Sequence, residues 1–242
     1  FANKECHNVV LSLDGRKEVH DRERTTADGK GSYDVIVPKF QKLVESRGGK
    51  GYYIRGTYTK YNTDFTEDIK QMLDLGFDEL SLEPVVCEPD SEFALSNEDL
   101  PVIYEQYEKL AKEMIERHKQ GKDFTFYHYM IDLNHGPCIY KRISGCGSGT
   151  EYFAVTPQGD LYPCHQFVGE PEYLMGNIFD GIKREDIKDC RDCWAKLYCS
   201  GGCAANGFKS SGDIRGVYEF GCELFKKRME CAIMKEIAIS EL

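Results

Sequence analysis

Residues 52–86 read YYIRGTYTKYNTDFTEDIKQMLDLGFDELSLEPVV, and this stretch decides the fold class. Tyr52 to Thr59 is a strand rich in aromatic and β-branched residues, Thr66 to Leu75 is a helix with Gly76 behind it, and Asp78 to Val86 is a further strand. The alternation extends upstream. Asn8 to Asp14 (NVVLSLD) is a short apolar run ending at Gly15, which suits a buried strand. Tyr33 to Ser46 carries Val35, Ile36, Phe40, Leu43 and Val44 at helical spacing, and Gly48 and Gly49 stop it. Downstream, Ser96 with Asp99 three residues on resembles a capping box that opens a long helix through Pro101 to about His118. Three consecutive βα units imply an α/β protein with a parallel sheet or part of a βα barrel.

Composition bounds the function. The chain has 242 residues, 41% of them hydrophobic, enough to bury one large or two modest cores. Its formal net charge of −10 repels phosphate backbones and anionic membranes, so neither nucleic acid nor a membrane is an expected partner. No run approaches the length of a membrane span, and Phe1 to Val10 lacks the character of a signal peptide. A cytoplasmic protein acting on a polypeptide or a small molecule is expected.

Near Phe124 the regular periodicity fades and Gly, Cys and Tyr rise, which places a domain boundary between Gly121 and Pro137 and two domains at 1–124 and 125–242. Of eleven cysteines, Cys6 and Cys87 stand alone and nine fall between Cys138 and Cys231. Cys146 and Cys164 flank a predicted β-hairpin, Glu151–Val155 and Leu161–Pro163, closed by a turn in which Gly159 supplies a positive φ. Cys190, Cys193, Cys199 and Cys203 follow as C-x2-C-x5-C-x3-C, then Cys222. A disulfide framework suits small secreted domains rather than a chain of this size. Zinc remains a rival, with His165 able to complete a second site, although the chain has one C-x2-C knuckle where a zinc ribbon has two. Iron–sulfur clusters suit seven thiolates better, because a cluster can be held by three cysteines and ligand sets can interleave along the chain.

The order Cys146–x12–Gly159–x4–Cys164, gap, C-x2-C-x5-C-x3-C, gap, Cys222 resembles the seven-cysteine SPASM domain of radical-SAM enzymes. Upstream, Ser12-Leu13-Asp14-Gly15, His20-Asp21, Arg24 and Gly31-Ser32-Tyr33-Asp34 look like the fourth strand of the radical-SAM barrel and the segment after it. The resemblance implies the C-terminal half of a partial βα barrel followed by a cysteine-rich SPASM domain with a β-hairpin and helices. It implies S-adenosylmethionine contacts at Ser12, Arg55 and Leu82. It also implies two auxiliary 4Fe–4S clusters, one on Cys190, Cys193, Cys199 and Cys222 and the other on Cys146, Cys164 and Cys203. Cys138 is a candidate fourth ligand to the second cluster. The C-x3-C-x2-C triplet that holds the catalytic cluster in this family is not in the sequence. The chain is therefore expected to be the C-terminal portion of a longer enzyme whose other part brings S-adenosylmethionine and a third cluster.

Within that family, Tyr162-Pro163-Cys164-His165-Gln166-Phe167 and Met175-Gly176-Asn177-Ile178 look like the SCIFF maturases, which cross-link a cysteine-rich precursor peptide. This implies thioether formation of the sactionine type, with hydrogen abstraction by a 5′-deoxyadenosyl radical and one electron passed to an auxiliary cluster. Anaerobic sulfatase maturases share the pattern but place an Asp where His165 stands. A non-catalytic electron-transfer or peptide-binding module with the same clusters is the other function class. His128 and His135 read as packed or exposed histidines without a role, and Cys6, Cys87 and Cys231 as small hydrophobes. Trp194 reads as shielding a cluster. Lys226, Lys227 and Arg228, on an amphipathic helix from about Glu219 to Ile239, read as a solvated face.

Overall fold

A computed structural model of the chain describes residues 1–131, 153–182, 199, 202–214 and 216–242. After a short helix α1 (Ala2–Glu5), the first segment runs β1 (Val9–Ser12), α2 (Lys17–Glu23), α3 (Tyr33–Ser46), β2 (Tyr52–Tyr58), α4 (Thr66–Asp74), β3 (Glu79–Pro84), α5 (Leu100–Lys119) and β4 (Thr125–Phe126). The four strands pair in parallel in the order β1-β2-β3-β4. The expected α/β class with a parallel sheet is present, and β4 adds a strand too short for any periodicity to reveal.

The pleat assigns the two faces of this sheet. Leu11, Leu13, Ile54, Tyr58, Leu80 and Leu82 are buried on one side, joined in the core by Phe65, Ile69 and Met72 of the α4 region and by Ile103, Tyr107 and Leu110 of α5. Each such side chain contributes about 1.5–3 kcal/mol of apolar transfer. The opposite side is more open: Val10 and Ser12 are exposed, Arg55 is exposed, and Tyr53 and Thr57 are half-buried. The capping box forms, with Asp99 Oδ2 accepting from Ser96 N at 2.8 Å ahead of α5.

Gly15 carries the turn out of the β1 segment. Its φ of +115° lies where L side chains are strained, and a Cβ there would sit 2.2 Å from Asp68 Cβ. That close approach lets Arg16 reach α4, where its Nε donates to Asp68 Oδ1 at 2.8 Å, and the turn before it, where its Nη2 donates to Asp64 Oδ1 at 2.7 Å.

The second segment is an antiparallel meander of β5 (Ala154–Val155), β6 (Asp160–Tyr162), β7 (Gly176–Asn177) and β8 (Gly181–Ile182). Its first turn is the predicted hairpin, with Gly159 at φ +88°. Helices α6 (Ala204–Ser211) and α7 (Glu219–Ser240) follow. Tyr162, Phe167, Tyr173 and Ala205 form a small core here, with Phe208 and Cys164 packed against it.

The contacts divide the chain into two compact units. One holds Phe1–Val85, Asp90–Ile131 and Lys227–Leu242, and the other holds Val86–Pro89 and Asp132–Lys226. The C-terminal part of α7 thus belongs with the parallel sheet. Among the described residues, no helix is long and apolar enough to cross a membrane.

Candidate functional site

The open sheet face holds the first group of interest. Ser12 pairs with Arg55 across β1 and β2, and Arg55 with Ser81 across β2 and β3, so the three share one row on one face. Thr57 and Glu83 form the next row toward the C-terminal ends of the strands, where parallel α/β sheets bind ligands. Leu82 is not with them. Its side chain is 1% exposed on the helix-covered side, where Gly56 leaves room for it, so on the Ser12–Arg55 face Leu82 can offer only backbone.

The loop after β1 is fixed by a buried carboxylate. Asp14 is 2% exposed. Arg24 grips it with two donors, Nε to Oδ2 at 2.5 Å and Nη2 to Oδ1 at 3.1 Å, and the Thr57 amide donates to Oδ1 at 2.9 Å. His20 lies alongside: its Nδ1 accepts from Asp14 N at 3.3 Å and its Nε2 is 3.0 Å from Ser32 Oγ, which in turn donates to the Arg24 carbonyl at 2.7 Å. Asp21 accepts from Tyr33 N at 2.8 Å and sits where a Cβ on Gly31 would stand. The motif residues Asp14, His20, Asp21, Arg24, Gly31, Ser32 and Tyr33 therefore form one interlocked loop. Beside it a cavity of about 240 Å³ is lined by Asp14, Val19, Glu23, Thr57, Asn62, Phe93 and neighbouring residues.

Burial pushes the Asp14 carboxyl up, but the adjacent His20 ring, the two Arg24 donors and the Thr57 amide outweigh it and hold it below its ordinary value. A depressed carboxylate stabilises the fold above the unfolded-state pKa, and that stability is lost as pH falls through the folded value. Asp14→Asn is therefore expected to cost about 1–2 kcal/mol at neutral pH, because Arg24 is half-exposed and its charge is partly solvated. The gap to wild type should close in acid. Urea unfolding of both proteins at neutral and acid pH checks this, and a gap independent of pH would show that the charge is not what matters.

A second buried group corrects one sequence expectation. Arg228 on α7 is 9% exposed, so it does not belong to a solvated face. Its Nε donates to Tyr107 Oη at 2.8 Å, and Tyr107 Oη lies 3.0 Å from Tyr58 Oη. Its Nη1 lies 3.2 Å from His128 Nδ1. A guanidinium only donates, so His128 Nδ1 accepts, and in the neutral ring the proton is on Nε2. His128, expected to have no role, points that Nε2 at Glu83 Oε1, 3.1 Å away, in a geometry too bent for a full hydrogen bond. Burial pushes the Glu83 carboxyl up, yet His128, Arg228 and Arg55 outweigh it and bring it down to about 2. Burial and the charge of Arg228 lower His128. Two guanidiniums are permanently charged, so Arg228 and Arg55 favour the Glu83 carboxylate whether or not His128 is protonated. Sequence reading missed Glu83, His128 and Arg228 as a group; the residues are scattered along the chain and only the fold joins them.

Of the seven motif cysteines, Cys146, Cys190 and Cys193 lie outside the described residues, as do Cys138, His135 and Trp194. Cys164 follows the hairpin strand β6, Cys203 is the N-cap of α6 after Gly202 at φ +72°, and Cys222 lies near the start of α7. Cys199 is half-buried. Among the described residues no cysteine is in a disulfide, and no three candidate ligands cluster. The described thiols fit a cluster in chemistry: they are soft donors, and Cys203 and Cys222 stand at helix starts, where helix N–H groups favour thiolate.

Over 97% of its length the chain superposes on anSMEcpe with bound AdoMet and the Kp18Cys peptide, at a TM-score of 0.71 and 17% identity, covering 70% of that chain. The chain has the fold of this AdoMet-bound protein. Streptococcus suis SuiB bound to S-adenosylmethionine is more distant, with a TM-score of 0.51 and 16% identity over 89% of this chain and 53% of that one. In sequence, the chain is 27% identical to a cysteine-type anaerobic sulfatase-maturating enzyme of Clostridium novyi, over 94% of this chain and 65% of the relative. It is also 27% identical to an uncharacterized protein of Archaeoglobus fulgidus, over 93% of this chain and 57% of that one. The chain thus spans less than two thirds of the length of the curated relatives it matches. No family model matches.

Proposed function

We propose that this chain is the C-terminal part of a radical-SAM peptide maturase, with Ser12 and Arg55 as S-adenosylmethionine contacts and two auxiliary 4Fe–4S clusters on the seven motif cysteines. The observation that carries the reading is the superposition over 97% of the chain on an enzyme holding both AdoMet and a peptide. Ser12 and Arg55 fit the cofactor because both are accessible in one row of the open face, and the ionised Glu83 and the Asp14 loop stand at the same strand ends. When bound, AdoMet and the clusters supply one-electron chemistry; the chain's own residues bind, orient and exclude water.

Two reactions fit equally. In the first, a cysteine-rich precursor peptide gains a sactionine-type thioether between a cysteine sulfur and a carbon of another residue, a reading favoured by His165 after Cys164. In the second, the protein acts as a sulfatase maturase, a reading favoured by the Clostridium novyi relative. The non-catalytic module is the remaining alternative. Incubating the full-length natural protein with AdoMet, a reductant and either a cysteine-rich peptide or the Kp18Cys peptide should separate them. A product that keeps its sulfur, loses two hydrogens and resists thiol reductants supports the thioether reaction, and an AdoMet-dependent conversion of the Kp18Cys cysteine that forms no cross-link supports the sulfatase-maturase reaction. If AdoMet is left uncleaved with every peptide, the chain belongs to a binding module.

A further inference from the structure

Glu83 is an ionised carboxylate with unused acceptor capacity on an accessible face. Ser81 Oγ donates to its Oε1 at 3.0 Å, and His128 Nε2 and Arg55 Nε approach that same oxygen at 3.1 and 3.9 Å. Oε2 accepts no hydrogen bond among the described residues, although a carboxylate has about four acceptor sites. The side chain is 27% exposed. Arg55 beside it is 48% exposed, and at 3.9 Å from Glu83 it makes no hydrogen bond there. A strong acceptor and a strong donor therefore lie side by side, each unsatisfied by the other.

The local charge selects what could satisfy both. A cationic ligand at Glu83 would join Arg55 and Arg228 around one carboxylate, and an anionic ligand at Arg55 would face Glu83. A neutral group with a donor next to an acceptor meets neither objection, and one peptide unit has that pattern. We propose that Glu83 and Arg55 form a peptide-backbone subsite, with Glu83 Oε2 accepting an amide N–H of the substrate peptide and Arg55 donating to one of its carbonyls. His128 and Arg228 are positioning residues that aim Glu83 from behind. Arg55 has five donors, so a bond to the peptide is compatible with a cofactor contact. Such a subsite reads the backbone and not the side chains. The inference rests on the peptide-maturase reading above.

The test uses the full-length natural protein and the Kp18Cys peptide, with binding followed by fluorescence anisotropy. A set of peptides N-methylated at one amide each should contain one position, near the cysteine, where methylation weakens binding to wild type about tenfold. Glu83→Gln should weaken the unmethylated peptide by a similar factor and be insensitive to methylation at that position, measured where the variant is still fully folded. No sensitive amide, or the same sensitivity in Glu83→Gln as in wild type, overturns the subsite. If the variant melts early, the methylation series on wild type alone decides. Wild type that binds no peptide at all overturns the peptide-maturase reading along with the subsite, whereas normal binding untouched by either change overturns the subsite alone.

Discussion

Arg228→Met is expected to destabilise the protein by about 3–5 kcal/mol, the cost of removing one partner from a buried charge network. Methionine replaces the aliphatic stem, so the loss reports the guanidinium rather than a cavity. Without it, Tyr107 Oη loses its charged donor, His128 Nδ1 loses its partner, and Glu83 loses one of its two permanent cations. Burial works against the charge of Arg228, but Tyr107, Tyr58 and Glu83 outweigh it and raise its pKa. Lys227 next door is the control. It bonds Glu108 at 2.5 Å, but Glu108 is 46% exposed, and such pairs contribute about 1 kcal/mol or less. Anaerobic urea unfolding of Arg228→Met and Lys227→Met should therefore give clearly different midpoints. Equal midpoints would mean that Arg228 is not the residue fastening the end of α7 to the sheet.

The misreading of this helix has a simple geometric cause. Lys226, Lys227 and Arg228 are consecutive, and successive residues turn by about 100° around a helix, so three adjacent charges sweep more than half its circumference. Such a sweep lets one of them face inward, and here it is Arg228. Composition alone suggested a solvated run. The bounds of α3 were legible at both ends, yet its buried face was not: Val35, counted in the apolar stripe, is 47% exposed, while Val37, left out, is 6% exposed. Periodicity located the helix, and packing chose the angle of its face.

Other elements were illegible for lack of length. β4, β7 and β8 have two residues each, and no alternation can be recognised in two residues. The loop motif was visible in the sequence as a resemblance, but its physical basis was not. Asp14 and Arg24 are ten residues apart and Thr57 lies on the next strand, so the bonds that interlock them exist only in the folded chain. The same holds for Glu83, His128 and Arg228, drawn from β3, the turn after β4, and α7.

The cysteines offer the largest expected effect. If the seven motif cysteines hold two 4Fe–4S clusters, as the SPASM resemblance implies, Cys164→Ala and Cys222→Ala should each remove about four irons per chain. They should do so from spectroscopically different clusters, since the ligand sets place Cys164 with Cys146 and Cys203, and Cys222 with Cys190, Cys193 and Cys199. The double variant should lose both. Cys231 supplies the contrast within the same helix as Cys222. It is 3% exposed, and burial pushes its thiol up despite the nearby Tyr129 hydroxyl and Lys227, which disfavours the thiolate that a metal requires. Cys231→Ala should leave iron content unchanged. Iron and sulfide analysis with electron paramagnetic resonance on anaerobically purified protein would make the comparison. Zinc in place of iron, or identical losses from Cys164→Ala and Cys222→Ala, would remove the two-cluster assignment; a single site that collapses whichever ligand is lost would replace it.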